Sequence, residues 1–320
     1  MMKYFIGFFI FCFVLFLYLH INYQLKTSTD LEVYTIERPS KEKLEEICNI
    51  RQPVVFDFHN QELLDTCSLN YLDDYYGAFD INIRDTTNND KNSELYLPFL
   101  LKEAINIFRE DKNQKFISEN NMDFLKETAA IKNFNSNDSF LRPPLVSKCT
   151  YDFLTGSDKS KTPLRYNLDY RNYYYITGGS VKIKLIPPSS NKYLYTYKDY
   201  DNFEFVSPIN VWDVQKQYKP DFAKVKVLDV TLKKGDIIYI PAYWWYSIEY
   251  TNLSSVCVFK YRTFMNVLAI LPELVLSMLQ GQNIKRDIVK KVDTTGKNKD
   301  KEKMKDTKDT KDTKDTKDTK

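Results

Sequence analysis

The chain has 320 residues, 43% of them apolar, and sets 46 basic against 43 acidic side chains for a net charge of +3. That length and apolar share support one core of about 230 residues with appendages rather than two domains, and so small a charge argues against a nucleic-acid partner. Five cysteines (Cys12, Cys48, Cys67, Cys149 and Cys257) without a C-x-x-C pair suggest neither a zinc site nor a dithiol redox centre, and buried free thiols are the simplest reading of them.

The first predicted element is an almost unbroken apolar run from Tyr4 to Ile21. Eighteen helical residues rise about 27 Å, close to the thickness of a bilayer's hydrocarbon core. The competing reading is a cleaved signal peptide, but the exit sequence Leu19 to Lys26 lacks the small residues of a cleavage site. Residues 1–22 are therefore read as an uncleaved signal anchor of a single-pass membrane protein. Lys3 faces only Lys26 across the span, so charge asymmetry sets sidedness weakly, with a slight preference for a lumenal or extracellular globular domain.

A polar linker, 23–32, follows. Leu31 to Arg38 reads as a short strand, Lys41 to Ile50 as a helix through Leu44, Ile47 and Cys48, and Pro53 to Phe58 as a strand. Residues 61–80 and 96–110 carry helical spacing on either side of an Asn- and Asp-rich loop, Asp85 to Asn92, and Met122 to Thr128 is a further helix. From Cys149 onward β patterns dominate: Val181 to Ile186, Val225 to Leu232, Ile237 to Ile240, Trp245 to Tyr250 and Val256 to Tyr261, with turns at Lys234-Gly235-Asp236 and Thr251-Asn252. Alternation places Val181, Ile183 and Leu185 inward and sends Lys182 and Lys184 to solvent. Trp244 and Trp245 are read as core and rim packing.

Two of these stretches carry a specific pattern. One runs Gly235-Asp236, an apolar strand, then Pro241-Ala242-Tyr243-Trp244-Trp245-Tyr246; the other runs Thr162-Pro163-Leu164-Arg165-Tyr166-Asn167 and reaches Pro187-Pro188 through Gly178-Gly179. Together they resemble the metal motifs of cupin-like, Jumonji C-type 2-oxoglutarate oxygenases, the asparaginyl hydroxylases in particular. The resemblance spans residues 33–262 and implies a mainly β fold with flanking helices, a double-stranded β-helix of the cupin or jelly-roll type. In that family the positions of Arg165, Asn167 and Tyr246 hold two histidines and an aspartate that bind iron(II). Val181 stands where the family uses a basic residue for the cosubstrate, and Thr162 matches a cosubstrate-contacting position.

The replacements remove the chemistry for elementary reasons. An oxygenase iron is held by two imidazoles and a carboxylate, whereas Arg165 is permanently charged and has no lone pair to offer. A guanidinium about 4 Å from a dication is repelled by roughly 8 kcal/mol at an effective dielectric near 20. Asn167 is a weak neutral ligand, and Tyr246 offers a phenol, which would have to lose its proton to bind a metal. His20 and His59, the only histidines, lie outside both motifs. Asp169 is expected to pair with Arg165 or Arg171.

Beyond the β region, residues 263–293 form C-terminal helices with a stripe of Leu268, Leu271, Val275, Leu276 and Leu279 and a kink near Pro272. Packing onto the barrel and homodimerisation, as the resemblance implies, are both open for this stripe. Residues 294–320 are a Lys-rich tail ending in five Asp-Thr-Lys triplets and should be disordered.

The leading functional expectation is a membrane-anchored pseudoenzyme that binds or scaffolds, without a metal or cofactor and with a protein partner. Arg165, Asn167, Tyr246 and Thr162 would line its former metal cavity, which is either locked by internal hydrogen bonds or takes an anion. The alternatives are an active hydroxylase using iron and 2-oxoglutarate at a non-standard site, and a structural membrane or virion component.

Overall fold

The computed structural model describes residues 2–87 and 95–283, so the predicted tail, the end of the C-terminal helical region and most of the Asn-rich loop lie outside the described residues. The first helix, α1 (Met2–Leu25), presents its apolar side chains outward along nearly its whole length, and its segment Lys3–Leu25 is long and apolar enough to cross a membrane. Then come β1 (Tyr34–Ile36), α2 (Lys41–Cys48), β2 (Val54–Asp57), α3 (Gln61–Thr66) and α4 (Leu69–Tyr76). The three helices start where a polar side chain precedes the apolar spacing: Ser40, Asn60 and Ser68 each accept a backbone N–H from the first turn.

Two strands follow, the second of them where helix was expected. β3 (Asp80–Asp85) and β4 (Leu97–Leu100) pair antiparallel, Asp80 opposite Leu100, and only 101–110 of the second predicted helix is helical, as α5 (Leu101–Glu110). Ile81 and Ile83 alternate inward over too few residues to stand out in the sequence, and Pro98, which cannot donate to a ladder, is tolerated because β4 is the edge strand. β5 (Phe116–Ser118), α6 (Met122–Glu127), α7 (Ile131–Asn137) and β6 (Val146–Gly156) lead into β7 (Arg165–Tyr166) and the long β8 (Arg171–Ile186). β9 (Tyr197–Asp199), β10 (Glu204–Val206), α8 (Lys219–Phe222), β11 (Leu228–Lys233), β12 (Asp236–Tyr239) and β13 (Trp245–Thr263) complete the sheet, before α9 (Phe264–Ala269) and α10 (Leu271–Asn283).

The strands form one large sheet ordered β1-β2-β12-β8-β13-β6-β5-β3-β4, antiparallel except for β1 against β2. β8 and β13 pair along most of their length, and both bend at the same level. Gly178-Gly179 in β8 lies against the irregular stretch Thr251 to Ser255 in β13, where Asn252 and Leu253 take left-handed backbone angles. Gly179 has φ +67°, and a Cβ there would sit 2.9 Å from Ser254, so the paired bend requires glycine. The predicted turn at Thr251-Asn252 is thus a bulge within one strand.

Alternate residues of the same strands enter different cores, as the pleat dictates. Tyr173, Tyr175, Tyr239, Phe259 and Tyr261 pack against the helices, α2 to α7. Tyr174, Ile176, Ile238 and Val258 pack with Val181, Ile183, Leu185, Tyr246, Ile248 and Tyr250 from the other halves of β8 and β13. Lys182 and Lys184 leave that core, Lys184 to pair with Asp229 at 2.8 Å. Trp244 and Trp245 are both buried, and the Trp244 indole donates to the Arg51 carbonyl at 3.2 Å. Ile270 separates α9 from α10, with Pro272 in the first turn of α10, where its missing N–H costs nothing. Ile270 and Leu274 pack back onto Phe205 and Leu168, whereas Leu271, Val275, Leu276 and Leu279 stay exposed.

Candidate functional site

β7 is only two residues long, but it sets the geometry of the whole site. Arg165 is the register partner of Tyr246 in β13 on one side and of Val206 in β10 on the other. The N–H of Tyr243, held at φ +66°, donates to the Asn167 carbonyl at 2.9 Å, which ties the turn before Trp244 to the other motif. Arg165, Asn167 and Tyr246 therefore converge, as the alignment of the two motifs requires.

The Arg165 guanidinium is embraced by carboxylates. Its Nη1 donates to Glu119 Oε1 at 3.0 Å, its Nη2 contacts the other Glu119 oxygen, and Nη1 lies 3.5 Å from Glu204. Arg84 from β3 reaches Glu119 at 3.2 Å and Glu204 at 3.1 Å, and the Tyr96 hydroxyl donates to both carboxylates at 2.9 and 3.0 Å. The Glu119 side chain is only 2% exposed, and those of Arg84, Arg165 and Glu204 are 11–12% exposed. Two cations and two anions make a neutral, interlocked cluster, the arrangement that burial of a charge demands. Burial pushes the Glu119 carboxyl up, but Arg165 and Arg84 outweigh it and hold it at about 2. Burial and the same two carboxylates drive the Tyr96 phenol well above its ordinary value, so it is a hydrogen-bond donor throughout the physiological range.

Beside this cluster the Asn167 amide donates to the hydroxyls of Tyr174 at 2.9 Å and Tyr246 at 3.2 Å. The Arg165 guanidinium lies 5.7 Å from the Tyr246 ring centre. A cavity of about 80 Å³ remains between Glu119, Asp152, Arg165, Asn167, Tyr174 and Tyr246. That is room for a few water-sized molecules and far below the roughly 300–1,000 Å³ of ligand pockets.

The other predicted positions fall elsewhere. Thr162 is not part of the cavity lining: its Oγ1 accepts the Ile248 N–H at 2.9 Å and its N–H donates to the Ile248 carbonyl at 2.9 Å, so it fastens the segment before β7 to β13. Asp169 pairs with neither Arg165 nor Arg171 but with Arg262 of β13 at 2.5 Å. The reason is that Arg165 is already taken by two carboxylates, while Arg171 is turned into the helical side toward Cys48, Asn49 and Tyr239. His59 is exposed, and Val181 is buried in the core.

These residues do not fit an iron(II) facial triad. Two guanidinia stand over the only carboxylates that touch Arg165, the amide and phenols are engaged with one another, and among the described residues no group of three His, Cys, Asp or Glu could hold a metal. Glu119, Glu204, Arg84 and Tyr96 were invisible to sequence reasoning. The one available signal was Arg165 itself, since a guanidinium in a core needs an anion, but nothing along the chain says which.

A model of the cupin-like domain matches residues 39–264. HSPB1-associated protein 1 of Mus musculus is 30% identical over 95 residues, which is 29% of this chain and 20% of the relative. The Homo sapiens protein of the same name is also 30% identical over 95 residues, and the Danio rerio HSPB1-associated protein 1 homolog is 25% identical over 95 residues, 21% of its length. The chain thus spans about a fifth of the length of these relatives. With the family match extending from α2 to the start of α9 and covering the greater part of the chain, the protein belongs to the cupin-like domain family.

Proposed function

We propose that this chain is a membrane-anchored cupin-like pseudoenzyme: a double-stranded β-helix of the Jumonji C type that has exchanged its iron centre for an internal ion-pair cluster and serves in binding or scaffolding. The observation that carries this reading is the Arg165–Glu119 pair, in which the residue at a ligand-histidine position is a cation already neutralised by the protein's own carboxylate. A cluster so engaged stabilises a closed mouth. The small cavity supports the locked form over an anion-binding one, because a ligand of cosubstrate size would have to break the Arg165–Glu119 contact to enter.

The partner is expected to be a protein, bound on the outer surface and not through the cavity. The relatives named for association with HSPB1 point in the same direction without identifying a partner for this chain. The apolar helix α1 would hold the domain at a membrane. The reading is tested by incubating the detergent-solubilised full chain with Fe(II), ascorbate and 2-oxoglutarate, and measuring succinate. No succinate above the enzyme-free blank is expected; stoichiometric turnover would establish an active hydroxylase with a non-standard site instead.

A further inference from the structure

α1 does not stand clear of the domain. Its last turns pack on α9, and a groove of about 530 Å³ runs between Phe16, Leu19 and Tyr23 on α1 and Leu145, Phe264 and Met265 on the domain. If α1 spans a bilayer, its length fixes how deep that groove lies. A hydrocarbon core of about 30 Å takes roughly twenty residues at 1.5 Å each, so a span beginning at Tyr4 ends near Tyr23. Phe16 then lies about 10 Å below the interface and Leu19 about 6 Å below it. The domain residues across the groove from them cannot be in water.

Two features of those residues suit that depth. Leu145 follows Pro143-Pro144 and is held at φ +55°, a conformation unfavourable for a branched side chain, yet it is 78% exposed. Its carbonyl accepts the Phe264 N–H at 3.3 Å, so the loop tip and α9 are joined. On α9, Phe264 and Leu268 are four residues apart on one face and exposed, while Asn266 and Ala269 face inward and are buried.

We propose that Leu145, Phe264 and Leu268 form a second membrane contact, seated in the acyl region beside α1, with lipid chains filling the groove. The proposal rests on the anchoring role given to α1 and adds to it: the domain lies on the bilayer in one fixed orientation instead of swinging on a tether. The test uses the full chain in vesicles of phosphatidylcholine brominated along its acyl chains. Leu145→Trp, Phe264→Trp, Phe16→Trp and, as a control at an exposed aromatic of α4, Tyr75→Trp are compared with the wild type and its native tryptophans. The expected result is that the added fluorescence at 145, 264 and 16 is quenched several-fold more than that at 75. Quenching at 16 without quenching at 145 and 264 would overturn the second contact and leave the anchor standing. Absence of quenching at 16 would remove the anchor and the contact together.

Discussion

Arg165 and Arg171 are accommodated in opposite ways. At the mouth of the site, Arg165 meets Glu119 and Glu204 and shares them with Arg84. On the helical side, Arg171 is 1% exposed and meets no carboxylate among the described residues: it donates to the Cys48 carbonyl at 3.0 Å, the Tyr239 hydroxyl at 3.1 Å and Asn49 Oδ1 at 2.6 Å, and lies 4.2 Å over the Tyr170 ring. The first site balances charge against charge. The second spreads a single charge over neutral oxygens and an aromatic face. Only the first contains carboxylates, and only the first lies where the two sequence motifs meet.

Removing one member of the paired cluster should have the largest effect. Glu119→Ala leaves Arg165 and Arg84 with Glu204 alone, and a loss of about 3–5 kcal/mol is expected in urea unfolding, because an uncompensated buried charge remains. The acid response separates the two arginines next. Glu119 sits at about 2 in the folded chain against roughly 4.3 when unfolded. Its pKa is depressed on folding, so its contribution is complete above the unfolded value and is lost as pH falls from there toward 2. Stability measured across that window should fall by on the order of 2–3 kcal/mol in the wild type, and this acid limb should be absent from Glu119→Gln.

The neutral site is sharpened by Arg171→Lys. A point charge cannot bridge the Cys48, Asn49 and Tyr239 acceptors, so a loss of about 1.5–3 kcal/mol is expected, with the acid limb of the wild type retained. Thr162→Val should cost about 1 kcal/mol by stranding the Ile248 N–H, without altering either arginine. The smallest effect concerns the surface. The sequence holds two N-x-Ser sequons, Asn137-Asp138-Ser139 and Asn252-Leu253-Ser254; Asn137 has its amide engaged with Asn60 and Asn133, whereas Asn252 is exposed at the bend of β13. If the domain faces the lumen, Asn252→Gln should abolish a glycan-dependent gel shift and Asn137→Gln should not. A shift lost with Asn137→Gln alone would contradict that assignment.

How much of this was legible in the sequence follows the range of the interactions. The strands flanking the two motifs, the inward set Val181, Ile183 and Leu185, and the convergence of Arg165 with Tyr246 could be read because local alternation and the spacing of Gly235-Asp236 to Trp245 encode them. β4 was read as part of a helix, and β3 beyond Asp80 was given no strand, because their pairing, not their own periodicity, makes them strands. The same non-local pairing brings Arg84 and Glu204 to Arg165 from 81 and 39 residues away along the chain. Asp169 was assigned to the wrong arginine for a related reason. Its partner Arg262 is 93 residues distant, and the nearer arginines are satisfied by atoms that the sequence does not place beside them.

In the proposed pseudoenzyme the Arg165 cluster takes the place of the metal and does not yield to one. The most direct test is anaerobic loading of the purified full chain with Fe(II), desalting, and measurement of iron per chain by elemental analysis. Retained iron far below one per chain, unchanged by added 2-oxoglutarate, is the predicted result. One tightly held iron per chain, lost on mutation of Tyr246 or Asn167, would contradict the account.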